Sequence, residues 1–342
     1  FSINCSTIGE FMFFTFKQFI FAGSLLCINL LFTTTLLSAK GTGLIFVSNE
    51  KGNTLSVLDS KTNQVINTIE TCGRPRGMHF NLDKTLFYVA CADDNQIAVY
   101  NVATQELVDR ILDIEEPETF DLHPNGKFLY VSNEEDAMAS FVDLESGEVV
   151  KEVEVGEEPE GVLVMPDGSK VFVTSETANM VHVIDTKTGE VLADIIVGTR
   201  PRRFALTPDG QELWVSAELA GSVNIIDTTA LKVTEELIFR PQGFRKDEVT
   251  PVDVLITGDG ETAFVALGRA NHVAVVDVAS KKVKDYLLVG KRAWGLTLTR
   301  DETLLYVANG LSDDLTIIDV QKEKAVTSVS VGFVPYAILI DD

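Results

Sequence analysis

A unit of 42 residues recurs along almost the whole chain, and its clearest copy runs from Glu157 to Gly198, EEPEGVLVMPDGSKVFVTSETANMVHVIDTKTGEVLADIIVG. The Asp closing its V-I-D run, Asp185, has counterparts at Asp59, Asn101, Asp143, Asp227, Asp277 and Asp319. The intervals are 42, 42, 42, 42, 50 and 42 residues. An aromatic-Val pair keeps the same phase, beginning at Phe46, Tyr88, Tyr130, Phe172, Trp214, Phe264 and Tyr306. A fixed period of this length restricts the chain to a repeat architecture.

Within one copy, Glu160–Met165, Lys170–Ser175, Met180–Asp185 and Val191–Val197 are short runs rich in Val, Ile and aromatics. Pro166-Asp167-Gly168 and Thr188-Gly189 punctuate them, which is the pattern of strands joined by hairpins. No helical period of useful length follows residue 40. Four antiparallel strands per repeat predict a propeller blade. The repeat series starts at a second strand (Leu44–Ser48) and ends at a first strand (Tyr336–Ile340). An all-β, seven-bladed β-propeller follows, a single domain over 40–342, closed by the carboxyl-terminal strand completing the amino-terminal blade. Closure removes the open edge that an unfinished array would expose.

The periodic Asp is too regular to be catalytic and is expected to hydrogen-bond the turn after the third strand. Function belongs where the copies differ. The junctions into each first strand carry Pro75, Pro117, Pro159, Pro201, Pro251 and Pro335, with Ala293 standing in once. Proline's fixed φ and missing N–H suit the start of an innermost strand. The one length change falls at such a junction, in the longer, locally basic loop 239–249, and long loops on rigid scaffolds commonly carry function.

The residues flanking these junctions should ring the channel mouth. Arg74, Arg76, Arg200, Arg202 and Arg292 are segregated from Glu116, Glu118, Glu158 and Glu160, and Trp294 and Tyr336 add aromatic faces. Asn133, Glu134, Glu176, Glu218, Asp313 and Asp314 are expected on the same face. Arg74, Arg76, Glu118, Glu160, Arg202, Arg292, Trp294 and Tyr336 are the candidate ligand-binding residues. Arginines beside aromatics suit a small anionic or quinone-like ligand. The acidic sector, Glu116, Glu118, Glu158 and Glu160, suits a hard cation such as calcium. The alternative is that neighbouring Glu and Arg satisfy each other across blades. The four histidines share no ligand spacing, no Gly-rich phosphate loop opens a helix, and no serine sits in a G-x-S-x-G elbow.

A net charge of −23 argues against nucleic acid as a partner and for a soluble monomer that attracts cations or basic surfaces. Residues 12–39 read as a secretory signal: one basic residue, Lys17, then an apolar run, then Leu37-Ser38-Ala39 as a cleavage site. Residues 1–11 precede the first Met. The competing reading is an uncleaved span from Phe19 to Leu37. Secretion makes a periplasmic or extracellular location the expectation. Of the cysteines, Cys72 and Cys91 follow the signal, and either a disulfide or two buried thiols fits their positions. No C-x-x-C-H sequence occurs, so covalent haem is not expected.

Tyr-Val-Ala-Asn at 306–309 and Pro-Asp-Gly at 166–168 resemble the YVTN family of seven-bladed propellers. TSETANMVHVIDT (174–186), RPRRFALTPDGQELWVSAE (200–218), AFVALGRANHVAVVD (263–277), DYLLVGKRAWGLTLT (285–299) and LFYVACADDN (86–95) are similar to propellers associated with pyrroloquinoline-quinone (PQQ)-dependent catabolism. The likeness spans 44–342. It implies a non-catalytic periplasmic accessory or binding protein beside a quinoprotein dehydrogenase, with PQQ or calcium as associated cofactors, and it supplies no catalytic residues. Related propellers also include lactonases and amine-oxidising quinoproteins, which implies an enzymatic alternative drawing on Glu118, Glu160 and Arg202. Similar periplasmic propellers bind single-stranded nucleic acid, a third expectation that the charge opposes.

Overall fold

The computed structural model describes residues 41–342, so the secretory signal read in 12–39 lies outside the described residues. Twenty-eight strands form seven four-stranded antiparallel sheets, each a blade, as the repeat predicts. Blade 1 is ordered Pro335–Asp341, Leu44–Asn49, Thr54–Asp59, Gln64–Glu70, so the last strand of the chain is innermost in the first blade. Ile45 pairs with Ile340, and the Thr42 N–H and hydroxyl both donate to the Asp341 carboxylate at 2.7 Å, fastening the seam. Among the described residues no helix is long and apolar enough to cross a membrane.

The aromatic-Val strands are buried on both faces because each blade packs against its neighbours. Phe172, Val181 and Val183 of blade 4 meet Leu213, Val215 and Ile226 of blade 5 in one apolar cluster. Outermost strands such as Gln64–Glu70 are mostly exposed and carry the polar residues. The periodic Asp does what its position suggests. Asp185 Oδ1 accepts the Lys187 and Thr188 N–H groups at 3.0 and 2.7 Å, and Asp227, Asp277 and Asp319 repeat the bond. An Asp side chain substitutes there for a backbone turn acceptor.

Cys72 and Cys91 are joined in a disulfide, which resolves the two readings the sequence left open. The bridge ties the loop entering blade 2 to the end of that blade's second strand, across 19 residues. Closing a loop of that size restricts the unfolded chain, so reduction is expected to lower stability by about 3 kcal/mol. Urea melts with and without reductant test this; coincident curves would contradict it.

Loop 239–249 packs beside blades 5 and 6. Phe239 and Val249 are buried in the shared core, and Lys246–Glu248 make one 3-10 turn in which Arg245 pairs with Asp247 and Glu248. Its basic residues are thus partly neutralised within the loop.

Candidate functional site at the channel mouth

Two local devices turn side chains into the channel. The first is a left-handed residue at six of the seven junctions, the one at Pro251 excepted: Arg74, Glu116, Glu158, Arg200, Arg292 and Val334 all have φ between 36° and 62°. That conformation is unfavourable for side chains of this kind and persists only when surrounding bonds hold it. Here the N–H groups of Arg74, Glu116, Arg200 and Arg292 donate to Asn53, Asn95, Asn179 and Asn271 Oδ1 at 2.8–3.0 Å. Asp313 serves Val334 in the same way. These acceptors recur with the period of the repeat.

The second device is a bulge. Pairing of the innermost strand with its neighbour shifts register between Pro75 and Met78, Pro117 and Phe120, Pro159 and Val162, Pro201 and Phe204, and Ala293 and Leu296. A bulge releases a residue from the ladder and re-aims its side chain. Arg76, Glu118, Glu160, Arg202 and Trp294 occupy these released positions. The freed carbonyls are satisfied by the preceding blade: Ser48, Ser132, Thr174 and Ser216 hydroxyls donate to the oxygens of Arg76, Glu160, Arg202 and Val252. Gly161 is required there, since a Cβ would lie 2.0 Å from the Arg202 oxygen.

The released side chains meet as a layer of paired charges. Arg74 contacts Glu116, Glu118 at 2.6 Å and Glu134 at 3.2 Å. Arg76 contacts Glu118, Glu160 at 3.1 Å and Glu50 at 3.2 Å. Arg202 holds Glu160, Glu176 and Glu218 at 3.3, 2.7 and 2.9 Å. Arg292 reaches Glu218 at 3.1 Å, and Tyr336 Oη donates to Glu160 at 2.8 Å. Neighbouring Glu and Arg therefore do satisfy each other across blades. Trp294 lies under the guanidiniums of Arg202 and Arg292, and Tyr336 under those of Arg76 and Arg203. The aromatic faces that would stack on a quinone are thus in contact with the protein's own cations.

The four carboxylates of the expected cation sector do not converge. Glu160 turns inward to arginines and Glu158 stays exposed on the rim. Glu134, from a loop at the end of blade 3's second strand, instead joins Glu116 and Glu118, with one oxygen of each within 4.8 Å of the others. Arg74 contacts all three, so its guanidinium already supplies the positive charge a calcium ion would bring. The residues present do not fit a resident metal. Glu50 also belongs to the layer and was not singled out from the sequence, although it shares the repeat phase of Glu134, Glu176 and Glu218.

The carboxyls are driven apart in proton affinity. Burial, reinforced by Glu160 and by a hydrogen bond with Glu134, pushes Glu118 well above the ordinary carboxylate value despite Arg76. Burial would also raise Glu134, but the hydrogen bond with Glu118 and the guanidiniums of Arg76 and Arg74 leave it lowered. Glu160 is fully buried, and Arg76, Arg202 and Arg203 outweigh desolvation to hold it well below the ordinary range. Desolvation and Glu160 push Glu176 up to about 8.

Glu176 makes a pH-dependent prediction. Its folded value lies above the unfolded one, so between pH 4.5 and 8 the folded state holds a proton that the unfolded chain releases, and stability falls as pH rises. Glu176→Gln removes this slope. The variant is expected to gain about 3–4 kcal/mol on the wild type between pH 5 and pH 8. A difference independent of pH in urea melts would contradict it.

A seven-bladed propeller whose mouth is lined by paired arginines and glutamates is the class that fold and site define. The family model described as "Lactonase, 7-bladed beta-propeller" matches residues 193–330. That stretch carries Arg200, Arg202, Glu218, Arg292 and Trp294, but not Glu118 or Glu134. No curated protein sequence matches the chain. Among solved structures, the periplasmic gluconolactonase PpgL of Pseudomonas aeruginosa superposes with a TM-score of 0.74 at 18% identity, covering 87% of this chain and 99% of that one. A putative 6-phosphogluconolactonase from Bacteroides uniformis gives 0.71 at 13%, covering 86% and 98%. Hydrazine synthase of Kuenenia stuttgartiensis gives 0.69 at 22%, covering 77% and 88%. At these identities the likeness establishes the fold. The family match favours the lactonase-type alternative over the PQQ-associated accessory role.

Proposed function

We propose that the chain is a lactone hydrolase working at the acidic sector of its channel mouth without a metal. The observation that carries this is the Glu118–Glu134 pair held on Arg74, a buried carboxyl whose proton affinity burial raises beside a half-exposed carboxyl whose proton affinity Glu118 and the guanidiniums lower. Environments that push two neighbouring carboxyls apart define an acid and a base. Glu134 lines an open mouth cavity of about 520 Å³ together with Arg74 and Glu116.

In this reading Glu134 takes a proton from water as the water oxygen attacks the lactone carbonyl. Arg74 faces the developing oxyanion. The ring C–O bond then breaks and the leaving oxygen recovers the proton from Glu134, giving the hydroxy acid. Glu118 keeps its proton throughout and orients Glu134. This moves the base from the Glu118, Glu160 and Arg202 set expected from sequence, because Glu160 is enclosed by three arginines and Tyr336. The test is acid release from a panel of five- and six-membered aldonolactones by the full chain. Saturable acceleration is expected; rates equal to buffer across the panel would overturn the reading.

One observation favours a second reading. Arg74, Arg76 and Arg202 each lie within 4 Å of at least three carboxylates, and this charge pairing suits a non-catalytic accessory protein that presents its mouth to a periplasmic quinoprotein dehydrogenase or a small anionic ligand. Calorimetric binding of such a partner by a chain inactive on lactones would select it. In either reading the Cys72–Cys91 disulfide supports an oxidising, periplasmic or extracellular setting.

A further inference from the structure

The second position after each junction breaks the repeat in a way the mouth does not use. It is Gly77, Thr119, Gly161, Gly295 and Ala337 in five blades, but Arg203 and Asp253 in adjacent blades 5 and 6. Both line a second cavity of about 200 Å³ inside the channel, with Trp294, Tyr336 and Ala337. At roughly 30 Å³ per water, that is space for a compact molecule of several heavy atoms.

The cavity presents unused hydrogen-bonding capacity of both kinds. Arg203 stacks on Tyr336 and gives Nη2 to the Tyr336 hydroxyl, while its Nε and Nη1 have no acceptor among the described residues. The Trp294 indole N–H is buried without an acceptor. Asp253 accepts the Val254 and Leu296 N–H groups at 2.9 and 2.8 Å, and no cationic side chain of the described residues lies within 4 Å of it. Its two oxygens retain lone pairs. A guanidinium with free donors suits a carboxylate, and a carboxylate with free lone pairs suits a hydroxyl or ammonium donor.

We propose that this cavity is a second binding site, for a small carboxylate bearing an adjacent hydrogen-bond donor, an α-hydroxy or α-amino acid. The carboxylate faces Arg203 and the Trp294 N–H; the donor faces Asp253. The site is independent of the hydrolase reading, since it shares neither Glu118 nor Glu134.

Calorimetric titration of the full chain with glycolate, glycine and acetate tests it. Glycolate or glycine is expected to bind saturably, the tighter of the two identifying the donor, and acetate about tenfold or more weaker because it leaves Asp253 unmatched. Arg203→Met should abolish binding. Ala337→Leu, which fills the cavity while keeping every charge, should abolish it as well, in protein whose circular dichroism matches wild type. No saturable heat from any of the three, acetate binding as tightly as glycolate and glycine, or undiminished binding in the Ala337→Leu protein would each overturn the proposal.

Discussion

Glu160→Ala lowers the free energy of unfolding by about 3–5 kcal/mol, the range for removing one partner from a buried ion pair. Glu160 is 2% exposed and faces Arg76, Arg202 and Arg203 at 3.1, 3.3 and 3.6 Å, with Tyr336 closing the remaining side. Deleting it leaves Arg203 with no carboxylate within 4 Å among the described residues, and takes one of three counter-charges from Arg76 and one of three from Arg202. The cost of the variant is that unpaired charge, not the worth of the native pairs, which desolvation largely offsets. The effect also has a pH signature. Glu160 is held below its ordinary value, so its contribution is complete above about pH 4.5 and drains as pH falls toward the folded value. Urea melts at pH 7 measure the loss. A change under 1 kcal/mol would mean that the layer is hydrated and the arginines do not depend on Glu160.

Glu134→Gln lowers kcat for lactone hydrolysis by about 10²–10⁴-fold, the usual contribution of a positioned general base. The substitution keeps the shape and the acceptor facing Arg74 but removes the proton-accepting charge. Substrate binding through the arginines should be little altered, so the loss falls on kcat more than on KM. Because Glu134 is held below the ordinary value, wild-type activity should persist to lower pH than an unperturbed carboxylate allows. It should fall on the alkaline side as Glu118 loses its raised proton. Glu160→Gln, in contrast, should act chiefly on stability, since Glu160 is enclosed within the layer by three arginines and Tyr336. Equal activity in Glu134→Gln and wild type would remove the assigned base.

The repeat made the propeller readable because each strand boundary is marked by chemistry that recurs: Asp185 and its counterparts close the third strand, and the aromatic-Val pair fills each interface between blades. Closure followed from counting strands, and Pro335–Asp341 pairs with Leu44–Asn49 as the count requires. The set of mouth residues was readable too, because Arg74 through Tyr336 are what remains once the framework residues are removed. What the sequence did not disclose was which carboxylate meets which arginine. That depends on the bulge after a junction and on the left-handed residue before it, backbone features that every blade but the sixth has. A signal was present in the periodic Asn53, Asn95, Asn179 and Asn271, whose side chains hold that backbone. Glu158 and Glu160 are two residues apart, yet one lies on the rim and the other in the channel. Glu134 reaches Glu118 only because the end of one strand folds over the start of its neighbour, a contact that repeat phase alone does not specify.

Titration of the glutamate side-chain carboxyl carbons by NMR, assigned through Glu118→Gln and Glu134→Gln, reads the proton affinities of the two carboxyls separately. A split pair is expected: Glu118 retaining its proton well above the ordinary carboxylate value, and Glu134 losing its proton below it, with each signal moving when the other residue is replaced. Two carboxyls titrating together at the ordinary value, each indifferent to the other's replacement, would contradict it.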